Sequence, residues 1–251
     1  MKLTNKYNLP ETFVNVLHRS NYTKGKAHLS VTELINSPRI TQLRKKHFDE
    51  IEEDVADKVW AIFGTAIHAV LEHGKGDNHV IEQRLHANVD GYDVSGAIDL
   101  QEVDADGIHI SDYKTTGAWA VMNDKKDWEQ QLNCYAWLVE KVKKVPVKSL
   151  KIIAIIRDWS RRDAGYKEGY PEAPVKSIDV PLWDYETREA FIKERVHLHS
   201  NALFALETGE DLPLCSSADM WEKQTYWAVL KTGGKRATAV CNTEEEAKAL
   251  V

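Results

Sequence analysis

The alternation of apolar and polar positions is most regular between residues 96 and 116. Gly96-Ala97-Ile98-Asp99-Leu100-Gln101-Glu102-Val103 and Ile108-His109-Ile110-Ser111-Asp112-Tyr113-Lys114-Thr115-Thr116 flank the turn Asp104-Ala105-Asp106-Gly107. Two strand-like runs around an Asp/Gly turn predict a β-hairpin. With Ala105 and Asp106 as the loop, Asp99 lies opposite Asp112; with Asp106 and Gly107 as the loop, it lies opposite Lys114. Opposed residues, and residues two apart on a strand, share a face, so Asp99, Asp112 and Lys114 face the same way in either register.

Other segments follow from their periodicity. Residues 1–29 are polar with few signals and read as a lead-in, including Leu17, His18, Arg19 and Lys24-Gly25-Lys26. Ser30-Val31-Thr32-Glu33 is a capping box that starts a helix reaching about His47, broken or kinked at Pro38. Its Arg39, Arg44, Lys45 and Lys46 form a solvated face or contact phosphates. A helix is predicted over residues 54–74. On a helical wheel, Ile62, Phe63, Ala66, Ile67, Val70 and Leu71 fill one half, while Gly64, Thr65, His68 and Glu72 fall on the other. Residues 80–89 form a strand carrying Glu82.

Beyond the hairpin comes a loop at 117–126, where Trp119 beside Lys125 and Lys126 either anchors the loop or offers a stacking surface for a nucleic-acid strand. Residues 127–144 form a periodic helix with the stripe Trp128, Leu132, Tyr135, Leu138, Val139 and Val142. Gln131 lies within that stripe, either in a core hydrogen bond or reaching the hairpin with Tyr135. The apolar run 150–156 predicts a strand buried on both faces. It ends in Arg157-Asp158-Trp159-Ser160-Arg161-Arg162, a solvated cluster or the lining of a nucleic-acid groove. An extended segment at 175–182 and a long helix at 185–206 follow, with His197 and His199 read as surface residues. After Leu212-Pro213-Leu214, a hairpin (226–230 and 236–240) and a helix near Thr243 form a small appendage, with Lys231, Lys235 and Arg236 as DNA contacts. The division is thus 1–212, with a core at about 54–182, and 213–251.

Composition narrows the class. The 251 residues are 43% hydrophobic and 29% charged, which suits a packed globular core. No run suits a membrane span, and no apolar segment follows the first residues as a secretory signal would require. Cys134, Cys215 and Cys241 are far apart, which argues against a disulfide framework, a zinc ribbon or an iron–sulfur cluster and points to a reducing cytosol. The net charge of −6 requires a nucleic-acid partner to find a local basic surface. Two carboxylates on facing strands stand about 5 Å apart at Cβ and repel. Either they form a solvated polar face with a surface ion pair, or a hard divalent cation sits between them with Lys114 beside it.

The ordered set Gly64-x-x-x-His68, Gly96-x-x-Asp99, Asp112-Tyr113-Lys114-Thr115 and Gln131-x-x-x-Tyr135 resembles the RecB-like branch of the PD-(D/E)XK nuclease superfamily, over about residues 60–157. The resemblance implies an α/β (α+β) restriction-endonuclease-like core, a central mixed β-sheet flanked by helices, and metal-dependent DNA cleavage. It makes His68, Asp99, Asp112 and the carbonyl of Tyr113 metal ligands, with Glu82 a weaker match to an accessory acid. It makes Lys114 the catalytic lysine beside Asp99 and Asp112, and Gln131 and Tyr135 substrate-holding residues; the further substrate contacts expected beside them are Thr115 and, from the aromatic and basic clusters already described, Arg157, Arg161, Trp119 and Lys125. Ile98 stands where the superfamily has its name-giving proline, and the cluster-binding cysteines of many relatives are missing, so no iron–sulfur cluster is expected. The resulting expectation is a stand-alone phage-type exonuclease using Mg²⁺ or Mn²⁺ on single-stranded or duplex DNA ends. Recombination, replication or repair would be its setting, in the cytoplasm (the host cytosol for a phage protein), with a single-strand annealing or binding protein as partner. The alternatives are a structure-specific or nicking endonuclease and a catalytically unused DNA-binding accessory protein. Oligomeric state stays open.

Overall fold

The computed structural model describes residues 1–18, 25–123 and 125–251, without the side chain of His18. The chain separates into two compact units, Met1–Leu214 and Cys215–Val251.

In the first unit the elements run β1 (Lys2–Thr4), α1 (Glu11–His18), β2 (Leu29–Ser30), α2 (Val31–Ile35), α3 (Pro38–Lys46), β3 (Glu52–Asp54), α4 (Val59–Leu71), β4 (His79–Val89), β5 (Tyr92–Val103) and β6 (Ile108–Thr116). They continue with α5 (Ala118–Val121), α6 (Lys126–Lys143), β7 (Val147–Ile156), α7 (Arg161–Ala164), β8 (Val175–Val180) and α8 (Tyr185–Thr208). The beginning of the chain is more ordered than its composition suggests. β1 pairs with β3, and the Asp54 carboxylate accepts from the Thr4 hydroxyl at 2.7 Å and the Lys6 amide at 2.9 Å. Leu17 and His18 end α1, while Arg19 and Lys24 of the expected lead-in lie outside the described residues. The capping box at Ser30 and Glu33 forms as read, and Pro38 splits the expected helix by opening α3 at its first turn. Arg39 holds the carbonyls of Leu212 and Pro213, whereas Arg44, Lys45 and Lys46 are solvated.

A mixed sheet in the order β4-β5-β6-β7-β8 carries the unit. β6 and β7 run parallel, and the other neighbours in that row run antiparallel. The central hairpin takes the first of the two expected registers: Val103 pairs with Ile108, Leu100 pairs with Ser111, and the Asp104 amide donates to the Gly107 carbonyl at 3.0 Å. The ladder stops at Leu100–Ser111. On the same side of β5, β2 pairs with Val94 and Ser95. Residues 96–99 therefore have no neighbouring strand on that side among the described residues, and the sheet is notched there.

α6 lies across β4, β5, β6 and β7, and α2 and α8 pack on α6 in turn. Burial is therefore continuous from Leu132 to Val139 and exceeds the single stripe read from the sequence. Arg188 of α8 holds Glu140 of α6 at 2.8 Å. His199 is buried, contrary to expectation, because α8 packs on α2 there; its Nε2 pairs with the Leu34 carbonyl at 3.2 Å, and burial pushes its pKa down. β7 is buried on one face only: Ile152, Ala154 and Ile156 are covered, Lys151 is exposed, and Ile153 and Ile155 are half-covered. α4 packs against β6, yet none of its residues is fully buried, and Trp60, Phe63 and Val70 of this apolar helix are exposed.

The second unit is an antiparallel hairpin, β9 (Trp227–Leu230) with β10 (Ala237–Cys241), followed by α9 (Glu244–Lys248) with a capping box at Thr243 and Glu246. No helix of the described residues is long and apolar enough to cross a membrane.

Close approach of α6 to β5 depends on Gly96. A Cβ there would stand 2.8 Å from the Tyr135 ring and 2.9 Å from Leu138. Gly96→Ala is expected to cost about 1–3 kcal/mol through this overpacking, read as a lower urea midpoint with an unchanged slope.

Candidate active site

The notch in the sheet opens into a cleft of about 500 Å³ lined from β4, β5, β6, α4 and α6 and from the start of α2. Three carboxylates meet there. In the β4–β5 register Ile81 pairs with Leu100 and Gln83 with Ile98, which sets Glu82 opposite Asp99. In the β5–β6 register, one step beyond the last pair sets Asp112 opposite Asp99. Glu82, Asp99 and Asp112 thus form a row across three neighbouring strands. Glu82 has φ +49, a left-handed conformation that costs a non-glycine residue about 1–3 kcal/mol and tends to mark functional sites.

The splay of β5 from β6 is bridged by a side chain. Asp99 accepts the Tyr113 amide at 2.8 Å, where a ladder bond would otherwise continue. This fixes its carboxylate at 7% residue exposure. His68 reaches in from α4. Its Nδ1 lies 3.2 Å from Glu82 Oε1 and 3.7 Å from Asp99 Oδ1, and its Nε2 lies 3.1 Å from the Tyr113 carbonyl. α4 can come this near β6 because Gly64, one turn before His68, leaves its Cβ position 3.1 Å from Thr115 Oγ1. Lys114 Nζ lies 2.6 Å from Asp112 Oδ2, and Gln131 Nε2 lies 3.4 Å from Asp112 Oδ1 and 2.8 Å from the Tyr135 hydroxyl. The alternatives for Gln131 therefore resolve: it makes its bond inside the fold and also reaches the hairpin.

The structure brings together His68, Glu82, Asp99, Asp112, the Tyr113 carbonyl, Lys114, Thr115, Gln131 and Tyr135. Arg157, Arg161, Trp119 and Lys125 lie outside the cleft lining. Arg157 sits 4.7 Å over the ring of Trp60, and Lys125 sits 5.0 Å over Trp119, while Arg161 is exposed on α7. Trp119 is 68% exposed, so it does not anchor its loop. Trp159 is tied down instead, its indole donating to the Pro171 carbonyl at 2.8 Å. Trp60 escaped the sequence reading, although Trp60, Gly64 and His68 recur every four residues and so form one helical stripe.

Charge decides what the cleft can hold. Asp99 is pushed up to about 7, first by burial and then by Asp112, against the pull of His68 and the Tyr113 amide. His68 is pushed up to about 9 by its bond to Glu82 and by the charge of Asp99, although burial opposes this. Donor atoms of His68, Glu82 and Asp99 lie within 4.8 Å of one another. Carboxylate and carbonyl oxygens with one imidazole suit a hard or borderline divalent cation, which would relieve the repulsion in the row. Asp112, held by Lys114 and Gln131, stands beside that group.

A pH dependence follows. The folded value of Asp99 lies above its ordinary 3.8, so its contribution to stability is full at low pH and falls as pH rises toward 7. The folded value of His68 lies above 6.5, so its contribution is full below that pH and lost as pH passes 9. In EDTA, Tm should therefore decline with pH through this site, and Asp99→Asn should remove the lower part of the decline. Cation binding needs ionised Asp99 and neutral His68, so the Tm rise given by Mn²⁺ should be larger at about pH 8 than at about pH 6. A rise that ignores pH would dissociate these two groups from the metal.

The model of the PD-(D/E)XK nuclease superfamily matches residues 79–158, which hold Glu82, Asp99, Asp112, Lys114, Gln131 and Tyr135 but not α4. The crystal structure of SSO0001 superposes with a TM-score of 0.51 at 18% identity, over 75% of this chain and 82% of that one. A candidate exonuclease from Eubacterium rectale matches with a TM-score of 0.34 at 14% identity, over 76% of this chain and 70% of that one, too weakly to carry an argument. No curated protein matches the chain. At such identities the structural likeness concerns the fold alone. The family match thus covers residues 79–158, and the notched mixed sheet with its flanking helices agrees with the fold of that superfamily.

Proposed function

We propose that this protein is a Mg²⁺- or Mn²⁺-dependent deoxyribonuclease that hydrolyses phosphodiester bonds from DNA ends. The observation that carries the reading is the row Glu82, Asp99 and Asp112 with the Lys114 ammonium 2.6 Å from Asp112. His68, Asp99, Asp112 and the Tyr113 carbonyl are the proposed metal ligands, and the place of Glu82 beside His68 adds it to them. When bound there, a divalent cation would neutralise charge on the scissile phosphate and ease deprotonation of the attacking water.

The remaining roles belong to this chain. Lys114 Nζ, held by Asp112, donates to the attacking water or to a phosphate oxygen as negative charge builds on it. Gln131 and Tyr135 hold the Asp112 side of the site in place and present amide and hydroxyl groups to the substrate backbone. The preference for ends rests on the likeness of the motif set, His68 to Tyr135, to RecB-like nucleases. So does the setting, phage-type recombination or repair in the cytosol beside a single-strand annealing or binding protein.

Lys114→Ala is expected to cut the rate on end-labelled linear DNA by about 10²–10³-fold with its thermal melt intact, and EDTA should abolish cleavage in the parent protein. Normal activity in a folded Lys114→Ala protein would sink the mechanism. Closed circular DNA included in the same assay should survive, since cutting of circles assigns the site to an endonuclease.

A further inference from the structure

Two tryptophans stand in solvent beside the cleft, each with a cation over its ring. Trp60 is 51% exposed, Arg157 lies 4.7 Å over its ring, and Phe63 stands edge-on to it at 6.2 Å. Trp119 is 68% exposed, and Lys125 lies 5.0 Å over it. Both pairs are fastened to the end of β6, the strand that carries Lys114. The Arg157 amide donates to the Thr116 carbonyl at 2.9 Å, two residues and so about 7 Å along the strand from Lys114. Next in the chain, the Asp158 carboxylate accepts the Ala118 amide at 2.7 Å and seats the short helix that presents Trp119. From the reacting lysine outward, the chain therefore offers an aromatic face with a cation, then a second one.

Folding alone does not account for this placement. Burying a large apolar side chain is worth about 1.5–3 kcal/mol, most of which an exposed tryptophan forgoes. Sequence-independent binding of single-stranded nucleic acid uses this chemistry, bases on aromatic rings and phosphates on nearby cations. The faces of interior duplex bases are occupied by their neighbours in the stack, so beyond the single free face of a terminal pair only unpaired nucleotides can use successive rings. The cations also answer the requirement set by a chain of net charge −6 that any nucleic-acid contact be locally basic.

We propose that Trp60 with Arg157 and Trp119 with Lys125 form a stacking path for an unpaired strand beside the scissile phosphate, so that the preferred substrate is single-stranded DNA or a single-stranded overhang. This rests on the nuclease reading of the cleft and names its substrate class.

The test separates binding from cleavage. Full-length Asp112→Asn protein in EDTA is titrated into a labelled oligothymidylate and into a blunt hairpin duplex, read by anisotropy and by tryptophan quenching. Trp60→Ala and Trp119→Ala should each weaken oligothymidylate binding by about 5–150-fold, and duplex binding less. Trp60→Phe should recover part of the loss because it keeps a ring, and Arg157→Ala should lower the dependence of binding on salt. Oligothymidylate affinity unchanged in both Trp→Ala variants would overturn the path. Unchanged affinity together with altered sedimentation would overturn it in favour of a protein contact on these rings. The nuclease reading falls separately, by failure of the parent protein to cleave.

Discussion

Repulsion among three carboxylates constrains the centre of this protein more than any other interaction. Like charges opposed on adjacent strands destabilise a sheet, and here the opposition is repeated across two strand boundaries, Glu82 to Asp99 and Asp99 to Asp112. The surrounding structure holds the row in place. The hairpin ladder ends where the row begins, and Asp99 takes the Tyr113 amide in place of a backbone bond. His68 and Lys114 bring positive charge to opposite ends of the row, and Gln131 reaches down from the most buried helix. The chain thus spends sheet regularity to keep acids in contact, which a purely structural sheet has no reason to do.

That row also explains what was legible in the sequence. The period-two alternation around the Asp104–Gly107 turn was enough to align Asp99, Asp112 and Lys114 on one face, because strand geometry leaves little choice once the turn is placed. Glu82 was harder. Its partner lies across a second tight turn, the two-residue Asp90-Gly91 loop between β4 and β5, which the strand reading of residues 80–89 does not use, and its left-handed backbone removes it from the simple alternation of β4. Gln131 was equally undecidable from spacing, since an amide inside an apolar stripe can serve the core or the site, and here it touches both Tyr135 and Asp112.

The misreadings share one cause: periodicity reports polarity along an element, and burial depends on what lies against it. β7 reads as apolar on both faces, yet only one is covered. His199 looks like a surface histidine until α2 is laid on α8, and α6 looks amphipathic until α2 and α8 close over it. Trp60 is hidden in the sequence for the same reason. Its value lies in standing uncovered at the end of the stripe that contains His68, and exposure of an aromatic residue has no signature in one sequence.

The weak anchoring of α4 has a thermodynamic consequence. A helix with no fully buried side chain has little packing energy to hold it against the sheet, so its opening draws on only a small part of the free energy of global unfolding. His68 rides on that helix, whereas Asp99 and Asp112 belong to the sheet. Any ligand gripped by both links the docking of the helix to its own occupancy, and each makes the other more favourable by the same amount. The α4 wall of the cleft is in this sense held shut by what it binds, and amide exchange along α4 would report site occupancy without any assay of turnover.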